Sequence, residues 1–363
     1  MSGPYPYCGA NGVLDYLNSF VLDDDVILIA EDGGNFSEYR TRPIAYRMRG
    51  KIWVNNHAHV LKAKGGIVQD FIFYALVHKD ILPYLAGGTR AKLNRGELNK
   101  IKYALPPLPE QRAIAEALSD VDGLLGSLEA LIAKKRAIKQ AAMQQFLTGN
   151  TRLPGFSGPW ETKRLGEIGE ISGSGVDKKI CRDEIPVRLL NYLDVYHKRF
   201  LRSDDLTQLV SAKPDQARRC AVEKGDVFFT PTSEVPDDIG RAAVVIENAP
   251  DGVYSYHLVR LRITVPWDLR FRAYVFASRE FLDQASKASE GSGTRYVVTL
   301  PRFRALAVLH PSDPNEQAAI AAVLSDMDAE IDALERRAAK TRAIKQGMMQ
   351  QLLTGRVRLV GSS

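Results

Sequence analysis

The strongest constraint on this chain is an internal duplication. Residues 110–153 align without a gap on residues 316–359, at an offset of 206, with 26 identities in 44 positions. PEQRAIAEALSDVD, from Pro109, returns as NEQAAIAAVLSDMD from Asn315, and KKRAIKQAAMQQFLTGNTRL, from Lys134, returns as KTRAIKQGMMQQLLTGRVRL from Lys340. Self-similarity of this extent means that one structural unit is used twice.

Both copies carry a helical period. Ile114, Leu118, Val121, Leu125, Leu128 and Ile132 recur at steps of 4, 3, 4, 3 and 4, as do Ile320, Leu324, Met327, Ile331, Leu334 and Ala338. This is an a/d heptad seam and predicts two long helices with a partner along one stripe. Thr148-Gly149 and Thr354-Gly355 supply the stops. Charge sets the direction of pairing. Residues 110–129 hold five acidic side chains and one basic, whereas 130–147 hold only Lys134, Lys135, Arg136 and Lys139. The second copy has the same polarity. Parallel helices would set like charges together, so the expectation is antiparallel packing, each acidic half beside the other's basic half.

The segments ahead of the helices differ from one another, yet their landmarks fall in one order. DDDVILIAED precedes NNHAHVLKAK, DFIFYALVHKDIL and GGTRAKLNRGELNKI in the first; KGDVFFTPTS precedes YSYHLVRLRI, FRAYVFASREFL and SGTRYVVTLPRFRAL in the second. Val26–Ile29 and Val227–Phe229 read as buried strands, and Asp32-Gly33-Gly34 and Asp251-Gly252 as turns. The expected organisation is a first head at 1–105, helix at 106–150, second head at 151–310 and helix at 311–357. Only 24 residues precede Asp25 while 72 separate Leu153 from Asp226, so the first head is expected to be shortened at its N-terminus.

At 363 residues, with 45% apolar and 25% charged side chains, the chain can build two cores. No apolar run approaches the eighteen or so residues of a membrane span, and the first dozen residues lack the pattern of a secretory leader. Cys8, Cys181 and Cys220 have no metal or disulfide spacing. The expectation is a reduced, cytoplasmic protein. A net charge of +6 is compatible with a polyanion partner.

The doubled PEQ…TG helix resembles the conserved regions of the specificity subunit of type I restriction-modification enzymes. GPYPYCGANGVLDY near the start and PWETKRLGEIGEISGSG ahead of the second head resemble that family's target-recognition domains, so the resemblance covers nearly the whole chain. It implies an α+β protein: two mixed α/β target-recognition domains separated by two long helices packed as an antiparallel coiled coil. It also implies a non-catalytic, sequence-specific DNA-binding subunit. Each head would read one half of a bipartite site in double-stranded DNA. The helices would set the gap and dock two methyltransferase subunits, to which restriction subunits can add. On that reading this chain holds no cofactor, and S-adenosylmethionine and ATP belong to the partner subunits. The alternative is a non-catalytic protein-binding scaffold with two recognition heads on a coiled-coil spacer.

Within the heads, Gly88-Thr89-Arg90 and Gly293-Thr294-Arg295 occupy equivalent places. Backbone amides, a hydroxyl and a guanidinium on one short loop suit a phosphate contact, or equally a tight turn with a solvated arginine. Lys92 and Arg95 continue the positive charge in the first head. Arg302 and Arg304 do so in the second, with Lys178, Lys179 and Arg182 upstream. His57 and His59, two apart in a strand-like run, would share a face, and no further metal ligands are nominated. No GxxxxGK[ST] loop is present, and the family's NPPF or NPPY methyltransferase motif is missing. Pro236-Asp237-Asp238 with Glu247 only faintly suggests a nuclease carboxylate cluster. The Ser–Gly runs at 172–175 and 290–293 read as loops.

Overall fold

The computed structural model describes residues 3–87 and 91–360. Two compact units divide the chain, Met1–Leu131 with Leu334–Ser363 and Ile132–Ala333. Each unit therefore consists of one head and half of each long helix.

The helices run Leu108–Phe146 and Pro314–Leu352, 39 residues each, and Gly149 and Gly355 follow them in left-handed backbone (φ 70° and 72°). Ile114, Leu118, Leu125, Leu128, Ile132, Ile320, Leu324, Ile331 and Ala338 of the predicted seam are buried, and Val121, Met327 and Leu334 half-buried. Pairing is antiparallel. In the first unit Lys345 reaches Asp122 at 2.6 Å and Arg342 reaches Glu129 at 2.5 Å. In the second, Lys135 meets Glu330 at 2.7 Å and Lys139 meets Asp328.

The first head is a five-stranded sheet in the order Gly12–Leu17, Tyr5–Gly9, Ala45–Val54, Leu22–Ala30, Ala58–Leu61. Ile27 and Ile29 pack toward helix Gln69–Val77 and the long helices, while Val26 and Leu28 pack with Cys8 and Ile52 on the other face. Burial on both faces is why this strand reads as an unbroken apolar run. The second head repeats that kernel. Val227–Phe229 lies antiparallel between Ala242–Val245 and Val259–Ile263, with Val227 and Phe229 in one core and Phe228 in the other. Gly169–Ser172 and Phe200–Leu201 complete this sheet at its two edges. A second sheet of Gln208–Ala212, Ile185–Leu190 and Gly252–Tyr254 borders the Phe228 core.

The duplicated residues fasten each head to the helices in the same way. Gln111 Oε1 accepts from the Val68 amide at 2.9 Å and its Nε2 donates to the Pro106 carbonyl at 2.8 Å. Its counterpart Gln317 does the same with the Asp268 amide and the Pro311 carbonyl, at 2.9 and 2.8 Å. Both glutamines are almost wholly buried, so no water competes for these bonds. Buried Glu110 accepts from the Leu359 and Val360 amides at 2.9 and 2.7 Å. Buried Glu316 takes both arms of Arg152, at 2.5 and 2.6 Å. A tyrosine from each head joins the interhelical ion pair. Tyr74 donates to Asp122 and Tyr274 to Asp328, each at 2.8 Å. Lys345 and Lys139 lie 5.4 and 5.7 Å from the respective ring centres.

These two trios differ in one respect. Asp328 also binds Arg199 at 2.7 Å, and this arginine, after burial, pulls the Lys139 ammonium below its ordinary range against the Asp328 carboxylate. Removing Lys139 leaves Asp328 a cation, whereas removing Lys345 leaves Asp122 only the Tyr74 hydroxyl. Lys345→Met should therefore destabilise its unit by about 1 kcal/mol more than Lys139→Met does its own, a gap kept small by partial exposure of both carboxylates. Hydrogen-exchange protection in each unit reads this; an equal or reversed ranking would contradict it.

Candidate nucleic-acid interface

The predicted basic residues of the second head do not form one patch. Lys178 is exposed, and Lys179 pairs with Asp177 at 2.9 Å. Arg182 is exposed on the same loop, whose Lys179 carbonyl and Cys181 amide bond Ser211. Gly293, in left-handed backbone (φ 71°), and Thr294 form the turn between strands Glu290–Ser292 and Arg295–Val297. The Ser–Gly run at 290–293 is thus mostly a hairpin strand rather than a loop. Arg302 is tied to the Ala288 carbonyl at 2.8 Å and to Glu290, bracing that hairpin from behind. Arg304 points toward the Ile171 carbonyl. In the other run, Gly175 presses against the Ser255 backbone, where any side chain would collide.

Lys178 and Arg295 do converge, on His257. Burial first, then the charges of Lys178 and Arg295, hold this imidazole below its ordinary value. His257 sits in the turn before Val259–Ile263, and His57 occupies the corresponding turn before Ala58–Leu61. His57 is therefore in a turn and not on a strand face with His59. Its Nδ1 lies 2.7 Å from Asp32, while His59 Nε2 is 2.6 Å from the Leu93 carbonyl. Among the described residues no group of three or more His, Cys, Asp or Glu is placed to hold a metal.

Beside His257 lies a groove of about 680 Å³, bordered by Thr294 and Arg295 on one side and Tyr192, Leu193 and Tyr196 on another. Its remaining wall is the segment Thr232–Val235 with Asp238. Tyr192 and Tyr196 stand four apart on helix Tyr192–His197, rings stacked at 6.0 Å. Tyr192 Oη donates to the Thr232 carbonyl at 2.7 Å, and Tyr196 Oη donates to Asp238. Burial raises the Tyr192 phenol; the bond to Asp238 raises Tyr196. Arg241 grips Asp238 through Nε and Nη2, at 2.9 and 2.6 Å. Asp237 accepts from Ser286, and Glu247 binds Arg202 and the Ser203 amide instead. The faint carboxylate cluster is thus dispersed into separate structural bonds.

Neither tyrosine nor the 232–235 segment stood out in the sequence. The Tyr-x-x-x-Tyr spacing in NYLDVYH was the available signal, because residues four apart share a helix face.

In the first head, Gly88, Thr89 and Arg90 lie outside the described residues. Lys92 exchanges backbone bonds with Ala86 at 2.8 Å each, and its ammonium meets Glu31 at 2.9 Å. Arg95 is exposed at the start of helix Arg95–Leu98.

Comparison with known proteins finds the following similarities. Residues 1–139 match the type I restriction modification DNA specificity domain. A putative type I restriction enzyme specificity subunit of Haemophilus influenzae is 36% identical over 124 residues, 34% of this chain and 31% of that protein. The chain thus aligns with under a third of that relative's length. The type I restriction enzyme MjaVIII specificity subunit of Methanocaldococcus jannaschii is 22% identical over 99% of this chain and 87% of its own. The crystal structure of a type I restriction-modification S subunit from M. genitalium shares the fold. Its TM-score is 0.55 at 15% identity, covering 97% of this chain and 89% of that one. Among the described residues no helix is long and apolar enough to cross a membrane.

A depressed imidazole destabilises the folded state only in acid: its contribution is complete above the unfolded value and lost as pH falls. Lys178→Met should raise the His257 value, read by NMR titration of its ring protons. An unchanged titration would show that Lys178 does not act on this site.

Proposed function

We propose that this chain is a DNA-reading specificity subunit of the type I restriction-modification kind, to which its first 139 residues and its relatives are similar. Each head reads one half of a bipartite site in double-stranded DNA. The paired helices set the gap between the half-sites and dock two methyltransferase subunits, to which restriction subunits can add. The chain itself performs no reaction. Methyl transfer with S-adenosylmethionine, and any ATP-driven step, belong to the partners.

The observation that carries this reading is the contrast between mounts and heads. Gln111 and Gln317, Tyr74 and Tyr274, and Asp122 and Asp328 make the same bonds in both units, while the heads they hold differ in sequence and sheet layout. Equivalent mounts with unlike heads suit a constant assembly that varies what it reads. The net charge of +6 is compatible with a polyanion partner.

Arg90 and Arg295 are assigned to phosphate contacts, and Lys92, Arg95, Lys178, Lys179 and Arg182 to the surrounding positive surface. On this reading Arg302 acts by supporting the hairpin that carries Arg295, and Arg304 adds to the positive charge of the second head. Phosphates carry no sequence information directly. Arg295→Ala should therefore weaken binding to every duplex alike and lower the salt slope of log K by about 1. A loss confined to one base position would contradict the assignment.

The decisive test maps modified bases by long-read sequencing in a host carrying this gene and its neighbouring methyltransferase, with and without the gene. A split motif methylated only when the chain is present is the expected result; methylation indifferent to the chain would overturn the reading. Deleting one heptad from both helices should then alter the gap and leave both half-sites as they were.

A further inference from the structure

We infer that Glu234 reads an exocyclic base amine, making it a specificity-determining residue of the second head; this rests on the DNA-reading role proposed above. The inference starts from what the groove leaves uncommitted. Asp238 is spent on Tyr196 and Arg241, and Asp237 on Ser286. Glu234 is exposed on the groove wall and, among the described residues, has no hydrogen bond or ion pair.

Its backbone is held in place. Thr232–Ser233 pairs with Arg295–Val297 in the register Thr232↔Val297 and Ser233↔Tyr296. The Thr232 carbonyl takes the Tyr192 hydroxyl at 2.7 Å, and the Val235 amide donates to Ser233 Oγ at 3.3 Å. Continuing the register sets Glu234 across from Arg295, yet no ion pair joins them. The groove therefore presents a cation and an anion on adjoining walls, each with a separate use. A guanidinium takes a phosphate.

An ionised carboxylate is repelled by phosphates and can only accept hydrogen bonds. On DNA its partner must be an exocyclic amine, and in the major groove that is cytosine N4 or adenine N6. Leu193 and Val235, 61% and 54% exposed on the same groove, flank it with apolar surface suited to base edges rather than to the charged backbone.

The test uses the full chain in its complex with the methyltransferase, and maps the methylated motif for wild type, Glu234→Gln, Glu234→Ala and Arg295→Ala. The wild-type half-site read by the second head should contain a cytosine or adenine whose selection falls roughly tenfold or more in Glu234→Ala, while every other position is unchanged; Glu234→Gln should keep an adenine, whose N6 and N7 a carboxamide also pairs, and lose preference for a cytosine. Which of the two bases relaxes tells which amine is read. If Glu234→Ala keeps the motif and strengthens binding to all duplexes, the carboxylate merely opposes Arg295 and the inference fails, leaving the DNA-reading role intact. If the wild type gives no motif, the role itself fails, and this inference with it.

Discussion

Everything in the two units is organised around a head-to-tail charge pairing between copies of one helix. The acidic start of each copy lies against the basic end of the other, so Asp122 finds Lys345 and Asp328 finds Lys139. The same arrangement places acidic residues at helix N-termini and basic ones toward C-termini, which suits each helix's own dipole. Such pairs contribute little net stability, because ion and partner both lose water. What they supply is direction and register. The apolar seam alone would tolerate a parallel pair or a slipped one; an unpaired, buried Lys139 would not.

Register in turn decides where a head can sit. Each trio of tyrosine, aspartate and lysine forms only where the helices are correctly aligned, since the head's tyrosine bonds a carboxylate already claimed by the opposite helix. The identities between the copies collect at these mounts: Glu110 with Glu316, Gln111 with Gln317, Asp122 with Asp328, Lys139 with Lys345. One pair of divergent positions changes together. Lys135 and Glu330 form an ion pair in one unit, and their counterparts in the other are Thr341 and an exposed Leu124. Losing one charge while keeping the other would leave a lone ion against the seam, so the two changes belong together.

Helices, their direction and the shared order of the heads were legible because they rest on periodicity, charge halves and repetition, all local properties of the string. Val26–Ile29 and Val227–Phe229 were legible as buried strands for a similar reason, being apolar on both faces. The groove was not. It forms where Tyr192, Thr232, His257 and Arg295 meet, and these come from four separate segments. The basic residues near the Gly-Thr-Arg loops were read as continuing their positive charge, yet Lys179 and Arg302 are occupied by Asp177 and Glu290. Composition reports how many charges a head has; only tertiary pairing decides which remain available. His57 shows the same limit on a smaller scale, because one residue of turn moved it off the strand that its spacing suggested.

Pairing also explains how a surface loop could carry the specificity proposed for it. The 232–238 segment has only a two-residue strand and one 3-10 turn, and a free loop would lose conformational entropy on meeting a ligand. Here Tyr192 and Tyr196, Arg241 and Ser286 bond it, while Arg302 braces the hairpin it pairs with. Most of the ordering is thus complete before any partner arrives. The bonds engage the Thr232 carbonyl and the Asp237 and Asp238 carboxylates, leaving the side chains of Glu234 and Val235 exposed at the groove. A wall built this way can exchange its outward side chains without disturbing the bonds that hold it, which is the physical condition for one mount to carry many readings.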